Sequence, residues 1–367
     1  MPQPILYLAI TNHGFGHATR AASVAAEIQK LCPEVLLILV TTAPRWLLES
    51  YIPGHFILRP RAYDIGVLQS DSIQMDKAAT LEKLQHLKVQ QSSILASEVS
   101  FIQQNRVGLV LADMPPMAAP IAKAAGIPCY MMSNFGWDFI YRAWQDELDG
   151  FGEMADWIGD CFAQCDRLFR LPLHEPMSAF PKITDVGFTG GTPRYSEAEL
   201  RQDLQLTAPK EQTILLTFGG LGLEQIPYQN LAGFPDWQFL TFDRNAPDLP
   251  NLLKLTSPPY HRPYRPVDVM PICHCVISKP GFSTFSEACR LNLPIISITR
   301  DDFAEAAVLL NATQDYVPTQ ILQPAEFFTG NWDFLHQPFQ SPRQPNAPKP
   351  DGNVAIAEAV INFLYDS

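Results

Sequence analysis

The sequence predicts an α/β protein built as two successive lobes, each a parallel sheet covered by helices. Three observations predict it. The 367 residues exceed what one ordinary core organises. Short apolar runs alternate with longer amphipathic segments, the pattern of strands joined by crossover helices. The alternation lapses once, after Leu171, in the Pro- and Gly-rich stretch "LPLHEPMSAFPKITDVGFTGGTPR", and then resumes. The boundary is expected between about Gly187 and Lys210, giving lobes 1–190 and 191–367, with the terminal helix able to pack back on the first lobe.

In the first lobe "ILYLAI" is a continuous apolar run suited to a strand buried on both faces, and "ATRAASVAAEIQKL" after it has helical spacing. "VLLILVTT", "PRWLLESY" and "HFILRP" continue the alternation. From about Ser72 to Gln104 the spacing is helical with no Gly or Pro, and the segment leads into the strand "VGLVLAD". "PMAAPIAKAAG" reads as a helix closed by Gly126, and "IPCYMMSNF" as the next strand.

The second series runs "TILLTFGG", "WQFLTFD", "CHCVISKPG", "FSTFSEACRLN", "LPIISITR" and "FAEAAVLLNATQ". Among 33 prolines, clusters at Pro247 to Pro271 and Pro338 to Pro350 predict ordered loops rather than strands. "NVAIAEAVINFLYDS" completes the chain as an amphipathic helix.

A composition of 47% hydrophobic and 17% charged residues describes a soluble globular chain. No apolar stretch approaches the ~20 residues that span a bilayer. A formal charge of -12 works against a nucleic-acid partner, while a peripheral membrane contact stays open. The strand-like start "PILYLAI" has no basic n-region, so no secretory leader and a cytoplasmic location are expected. Seven scattered cysteines, an odd count, fit reduced thiols. "CFAQC" and "CHC" lack zinc-knuckle spacing, and no metal site is expected.

The densest chemistry lies in "TNHGFGHATR", Thr11 to Arg20. Thr19 stands where a dinucleotide fingerprint has its third glycine, and no G-K-[ST] follows, so neither that loop nor a P-loop fits. The plain reading is a glycine turn with histidines that cap or pack. The chemical reading rests on position: His17 begins a helix at the C-terminal edge of the first strand, where ligands of open α/β sheets gather. There the positive helix end favours a neutral, proton-accepting imidazole. Gly14 and Gly16 keep His13 and His17 from being a helical zinc pair. His13 and Gly16 are expected beside an acceptor, or His13 as a structural neighbour. Trp137 in "GWDF", followed by Asp138, offers either a ring for sugar stacking or a core side chain.

Two more glycine turns follow strands in the second lobe. "TFGGLG", with Gly219 and Gly220, presents backbone amides of the kind that hold a diphosphate without a metal. "SKPGFSTFSEA" brings Gly281, Ser283, Thr284 and Glu287 to the start of a helix. Thr284 and Glu287 fit a capping box, and Glu287 equally fits a carboxylate that accepts ribose hydroxyls. Asp301, Asp302 and Glu305 complement a helix dipole or hold a polyhydroxylated ligand.

The stretch "GFSTFSEACRLNLPIISITRDDFAEAA" resembles the donor-site region of two-lobed GT-B glycosyltransferases related to the peptidoglycan GlcNAc-transferase. "HGFGHATR", "LQSDSIQMDKAATLEK", "SNFGWDFIY", "LPLHEPMSAFPKITDV" and "DGNVAIAEAVINFL" resemble the glycosyltransferase-like N-terminal region of plant L-arabinokinases. These stretches sample nearly the whole chain, and the arabinokinase kinase portion has no counterpart among them. The resemblance implies the GT-B fold, two Rossmann-like lobes facing across a cleft, with acceptor held mainly by the first and nucleotide-sugar by the second. By correspondence of motif His17 is the base, and Asp113 in "VLADMPP" orients it. Gly219 and Gly220 then face the diphosphate, and Glu287 the ribose. No cofactor is implied beyond a nucleotide-sugar substrate, expected to be UDP-linked.

The function expected is metal-independent transfer of a hexosyl or pentosyl group from a nucleotide-sugar to an acceptor hydroxyl. The alternative is a non-catalytic sugar or nucleotide-sugar binding protein, a sensor or partner of a sugar kinase. An epimerase of the same architecture, using Asp113 and Asp138, is a third reading. His17 together with Asp113 favours catalysis.

Overall fold

The computed structural model describes residues 3–69, 75–219, 223, 225–255, 263–344 and 351–366. Two compact units divide them: 3–69, 75–190 and 351–366 form one, and 191–344 the other.

In the first unit β1 (Ile5–Ile10) leads to α1 (Gly16–Leu31), β2 (Leu36–Val40), α2 (Arg45–Glu49) and β3 (Ile57–Arg59). The chain continues through α3 (Lys77–Gln104), β4 (Leu109–Asp113), α4 (Ala118–Ala125), β5 (Cys129–Ser133), α5 (Trp137–Arg142), α6 (Phe151–Phe162), β6 (Arg167–Arg170) and β7 (Ile183–Asp185). Among the described residues the sheet runs β3-β2-β1-β4-β5-β6-β7, with every pairing parallel. β1 and β4 lie at its centre, and Leu6 to Ile10 and Leu109 to Asp113 are buried throughout, as a strand covered on both faces requires. Strand order reverses between β1 and β4, the position at which open parallel sheets form a crevice at the C-terminal strand ends.

The second unit runs α7 (Glu197–Asp203), β8 (Thr213–Leu216), β9 (Gln238–Thr241), β10 (Leu252–Lys254), α8 (Pro266–Val269), β11 (Cys275–Ser278), α9 (Phe282–Arg290), β12 (Ile295–Ile298), α10 (Ala304–Thr313), β13 (Thr319–Leu322) and α11 (Pro324–Phe328). Its described sheet is parallel in the order β10-β9-β8-β11-β12-β13, with the reversal between β8 and β11. Ile214, Leu216, Phe239, Ile277 and Ile296 join Phe327 and Trp332 in its core.

α12 (Gly352–Asp366) belongs to the first unit, where it packs on α1. Asn353 fixes its start, accepting the Gly190 N–H at 3.2 Å and donating to the Gly190 carbonyl at 2.8 Å.

Two strands lie where the sequence reading placed only connectors. β7 extends the first sheet from within the Pro-rich stretch after Leu171, and β10 sits inside the Pro247 to Pro271 cluster. Each is three residues long and only partly buried, too short to register a period of two. Gly126 does close α4, in the left-handed conformation.

Candidate active site

The turn after β1 is shaped by Gly14, whose φ of +58° suits glycine, and it delivers His17 into the first turn of α1. Asp113 is the last residue of β4 and lies in register with Ile10, the last residue of β1. The strand reversal therefore brings the two side chains together: His17 Nδ1 is 2.7 Å from Asp113 Oδ1. Asp113 is completely buried and His17 nearly so.

Arg20, one helical turn beyond His17, completes the group. Its Nε donates to Asp113 Oδ2 at 2.7 Å, its Nη2 to Oδ1 at 2.5 Å, and its Nη1 to Asn134 Oδ1 at 2.9 Å. Burial alone would raise the Asp113 carboxyl; the charge of Arg20, with His17 beside it, holds it below the ordinary carboxylate range. Arg20 Nη2 also lies 3.0 Å from His17 Nδ1, but a guanidinium can only donate. The shorter contact to a carboxylate assigns the proton to Nδ1, as a donor to Asp113, and leaves Nε2 as the basic nitrogen.

His13 is set differently. Its Nδ1 accepts the Val67 N–H at 3.2 Å, so the neutral ring carries its proton on Nε2. Gly66 permits this approach: its φ is +55°, and a Cβ there would lie 2.5 Å from that of His13. The Tyr141 hydroxyl holds the same loop by donating to the Gly66 carbonyl at 2.6 Å. Farther back, Tyr7 and Tyr63 both donate to Glu98 Oε2 at 2.8 Å, and Arg59 pairs with Glu98 Oε1 at 2.6 Å.

Trp137 is fully buried. It presents its ring edge-on to His13 with 5.2 Å between centroids, and its indole N–H donates to Thr11 Oγ1 at 3.0 Å. Its burial among the His13, His17, Phe135 and Tyr141 rings makes it a buttress for the histidine turn. Asp138 follows at the start of α5; burial raises its carboxyl, and among the described residues its buried Oδ1 has no hydrogen-bond partner. Gly16 is exposed as the first residue of α1.

Asp64, which the sequence reading did not select, stands in the loop after β3. Its Oδ1 accepts the Asn12 N–H at 2.9 Å, and burial pushes the carboxyl up to about 7. Nothing in "RAYDIG" marks it, because burial comes from the fold. Arg20 was within reach of sequence reasoning: at i+3 from His17 it shares a helix face with it.

In the second unit Gly219 follows β8 with a φ of +82°, and Gly220 lies outside the described residues. A Cβ on Gly219 would meet Lys279 Cε at 3.6 Å, which places Lys279, after β11, beside the glycine turn. Burial pushes the Lys279 ammonium down to about 7; Arg300, after β12, adds to that and Glu305 in α10 opposes it. The edge thus gathers a glycine turn and two basic side chains, neither of which the sequence reading selected. Gly281 precedes α9, and Ser283 and Thr284 are half-buried in its first turn. Asp301 and Asp302 are exposed, and Glu305 is buried.

The capping box expected of Thr284 and Glu287 does not form, because α9 starts at Phe282 with Gly281 as its cap, leaving Thr284 inside the helix. Glu287 instead accepts the Gly191 N–H at 2.9 Å. Burial pushes its carboxyl up to about 7, against the pull of that N–H, Arg265 and Arg290. Among the described residues no group of three or more His, Cys, Asp or Glu side chains gathers as a metal ion would need, and no helix is long and apolar enough to cross a membrane.

No family model matches the chain. It is 30% identical over 331 residues, 88% of its length, to an L-arabinokinase of Arabidopsis thaliana, and it spans 31% of that protein. Its structure is similar to that of a UDP-glucose:anthocyanidin 3-O-glucosyltransferase in complex with UDP, at a TM-score of 0.63, 11% identity and coverage of 100% of this chain and 99% of the other. A calicheamicin glycosyltransferase is similar at a TM-score of 0.61, 15% identity and the same coverages. The chain has the GT-B fold of these glycosyltransferases.

Proposed function

We propose that this protein is a glycosyltransferase that moves a hexosyl or pentosyl group from a UDP-linked donor to an acceptor hydroxyl. One observation carries the reading: at the strand reversal of the first sheet His17 Nδ1 lies 2.7 Å from the buried Asp113 carboxylate, an arrangement that favours a proton on Nδ1 and a basic Nε2. A hydroxyl that attacks an anomeric carbon must lose its proton, and Nε2 of His17 is the group to take it. Asp113 orients the ring, and His13, with its proton on Nε2, is suited to donate a hydrogen bond to an acceptor oxygen.

The second unit is read as the donor side. The Gly219 turn, Lys279 and Arg300 supply amides and positive charge for a diphosphate, so a divalent metal is not required. Glu287 is proposed for the ribose, and Ser283, Thr284, Asp301, Asp302 and Glu305 for the sugar end. Free thiols at all seven cysteines support a reducing, cytoplasmic setting.

The test is UDP release measured with UDP-glucose, UDP-GlcNAc, UDP-xylose and UDP-arabinose against a panel of hydroxyl acceptors, with EDTA present. Acceptor-dependent UDP release supports the reading. Calorimetric binding of UDP-sugars with no turnover on any acceptor would point to the non-catalytic binding protein instead.

A further inference from the structure

The Arg20 guanidinium is a buried cation whose place in the first unit is explained by neither sheet nor helix. It is 2% exposed, takes both oxygens of Asp113, and is itself held by Asn134 just after β5. A His-Asp pair needs no such partner to orient the ring, since Asp113 Oδ1 alone accepts the Nδ1 proton. Arg20 must therefore serve the carboxylate.

We propose that Arg20 is a positioning residue for His17: its forked hold on Asp113 balances the carboxylate charge, so that Asp113 directs the imidazole tautomer without drawing a second proton onto the ring. This rests on His17 acting as the base. The physical reason is charge. Arg20, ionised Asp113 and neutral His17 form a buried group with no net charge. Without the guanidinium a buried carboxylate is left uncompensated, at severe desolvation cost. The adjacent imidazole is the group placed to neutralise it, by taking a proton at Nε2, and a base already protonated there cannot accept the hydroxyl proton.

Among the described residues the other groups around His17 do not supply this balance. His13 comes from the same turn, 6.4 Å away between ring centroids, and is committed through Nδ1 to Val67. Asp64, from the loop after β3, is a carboxyl and adds negative charge when ionised. Phe135 and Trp137, whose rings lie 5.8 and 6.1 Å from that of His17, carry no charge, and Asp138 beside Trp137 on α5 is another carboxyl. Asn134 and Ser133 touch Arg20 with neutral groups.

The experiment is nitrogen NMR of the full chain with 15N-labelled histidine, the His17 signals assigned by their loss in His17→Gln, alongside the pH profile of kcat. The wild type is expected to show an Nδ1–H imidazole. In Arg20→Gln, both ring nitrogens should be protonated at pH 7. The acid limb of kcat should move alkaline by about two units, from below pH 7 to above it, a roughly tenfold loss at pH 7 recovered at higher pH, with KM for the nucleotide-sugar unchanged. Arg20→Lys, which keeps the charge but not the fork, should leave the limb in place. Loss of activity equally at every pH, with His17 neutral in Arg20→Gln, would mean a structural role only and overturns the proposal. If Arg20→Gln does not fold, the wild-type tautomer decides: Nε2–H, with Nδ1 accepting from Arg20, overturns it. The spectra need no turnover, so absence of sugar transfer alongside the expected tautomer and protonation would defeat the transferase reading and leave Arg20's control of the ring standing.

Discussion

The two sheets place opposite electrostatics at the same topological position. At the reversal between β1 and β4 the first unit gathers Asp113, Asp64 and two histidines, with Arg20 neutralising one carboxylate. At the reversal between β8 and β11 the second unit places Lys279 beside Gly219, with Arg300 close enough to oppose its charge. In the proposed function one edge handles a proton and the other receives an anion. The architecture supplies the crevice in both cases, and a few side chains at the strand ends decide its chemistry.

The largest effect is expected where the first edge is most tightly balanced. Asp113→Asn removes the carboxylate that holds the buried Arg20 charge, and should destabilise the fold by about 3–5 kcal/mol, read by urea unfolding. A loss below about 1 kcal/mol would show that the ion pair is solvated or replaced, and would weaken the charge-balance account.

A buried carboxyl near each edge makes the comparison testable by pH. Asp64 and Glu287 are both pushed up to about 7 by burial, so the folded chain keeps these protons where the unfolded chain releases them near ~4. The stability each contributes is full below about pH 4 and lost as pH rises to about 7, at up to ~1.4 kcal/mol per unit. Asp64→Asn should remove that slope from the first unit and Glu287→Gln from the second. Urea titrations at pH 5 and pH 7.5 read it, and a slope unchanged in both variants would place these carboxyls in more polar surroundings than the structure shows.

Gly66→Ala probes how closely the His13 loop must approach. A Cβ at a φ of +55° and 2.5 Å from His13 should cost about 1–3 kcal/mol. A variant as stable as the wild type would mean the loop moves aside, and His13 would no longer be fixed by Val67.

How much of this was legible in the sequence differs by scale. The two-unit α/β plan follows from "ILYLAI", "VGLVLAD" and "CHCVISKPG", because fully buried parallel strands read as unbroken apolar runs. β7 and β10 escape because three residues carry no usable period. His17 was legible from its place after a strand, and its meeting with Asp113 follows once β1 and β4 are neighbours. Trp137 was ambiguous because a buried indole and a stacking platform share one residue type. Lys279 lay in plain view in "SKPG", yet its contact with Gly219 depends on strand order, which no local pattern encodes.

The proposed base and the proposed anion site are separate, one on each unit. Calorimetric titration of UDP in EDTA into wild type, His17→Ala and Lys279→Ala tests it most directly. Lys279→Ala should weaken UDP binding by about 10-fold or more, the weight of one charge-assisted hydrogen bond. His17→Ala should bind UDP as the wild type does, while losing sugar transfer by about 10²-fold. UDP affinity lost equally in both variants, or unaffected by Lys279→Ala, would contradict the division of labour between the two sheet edges.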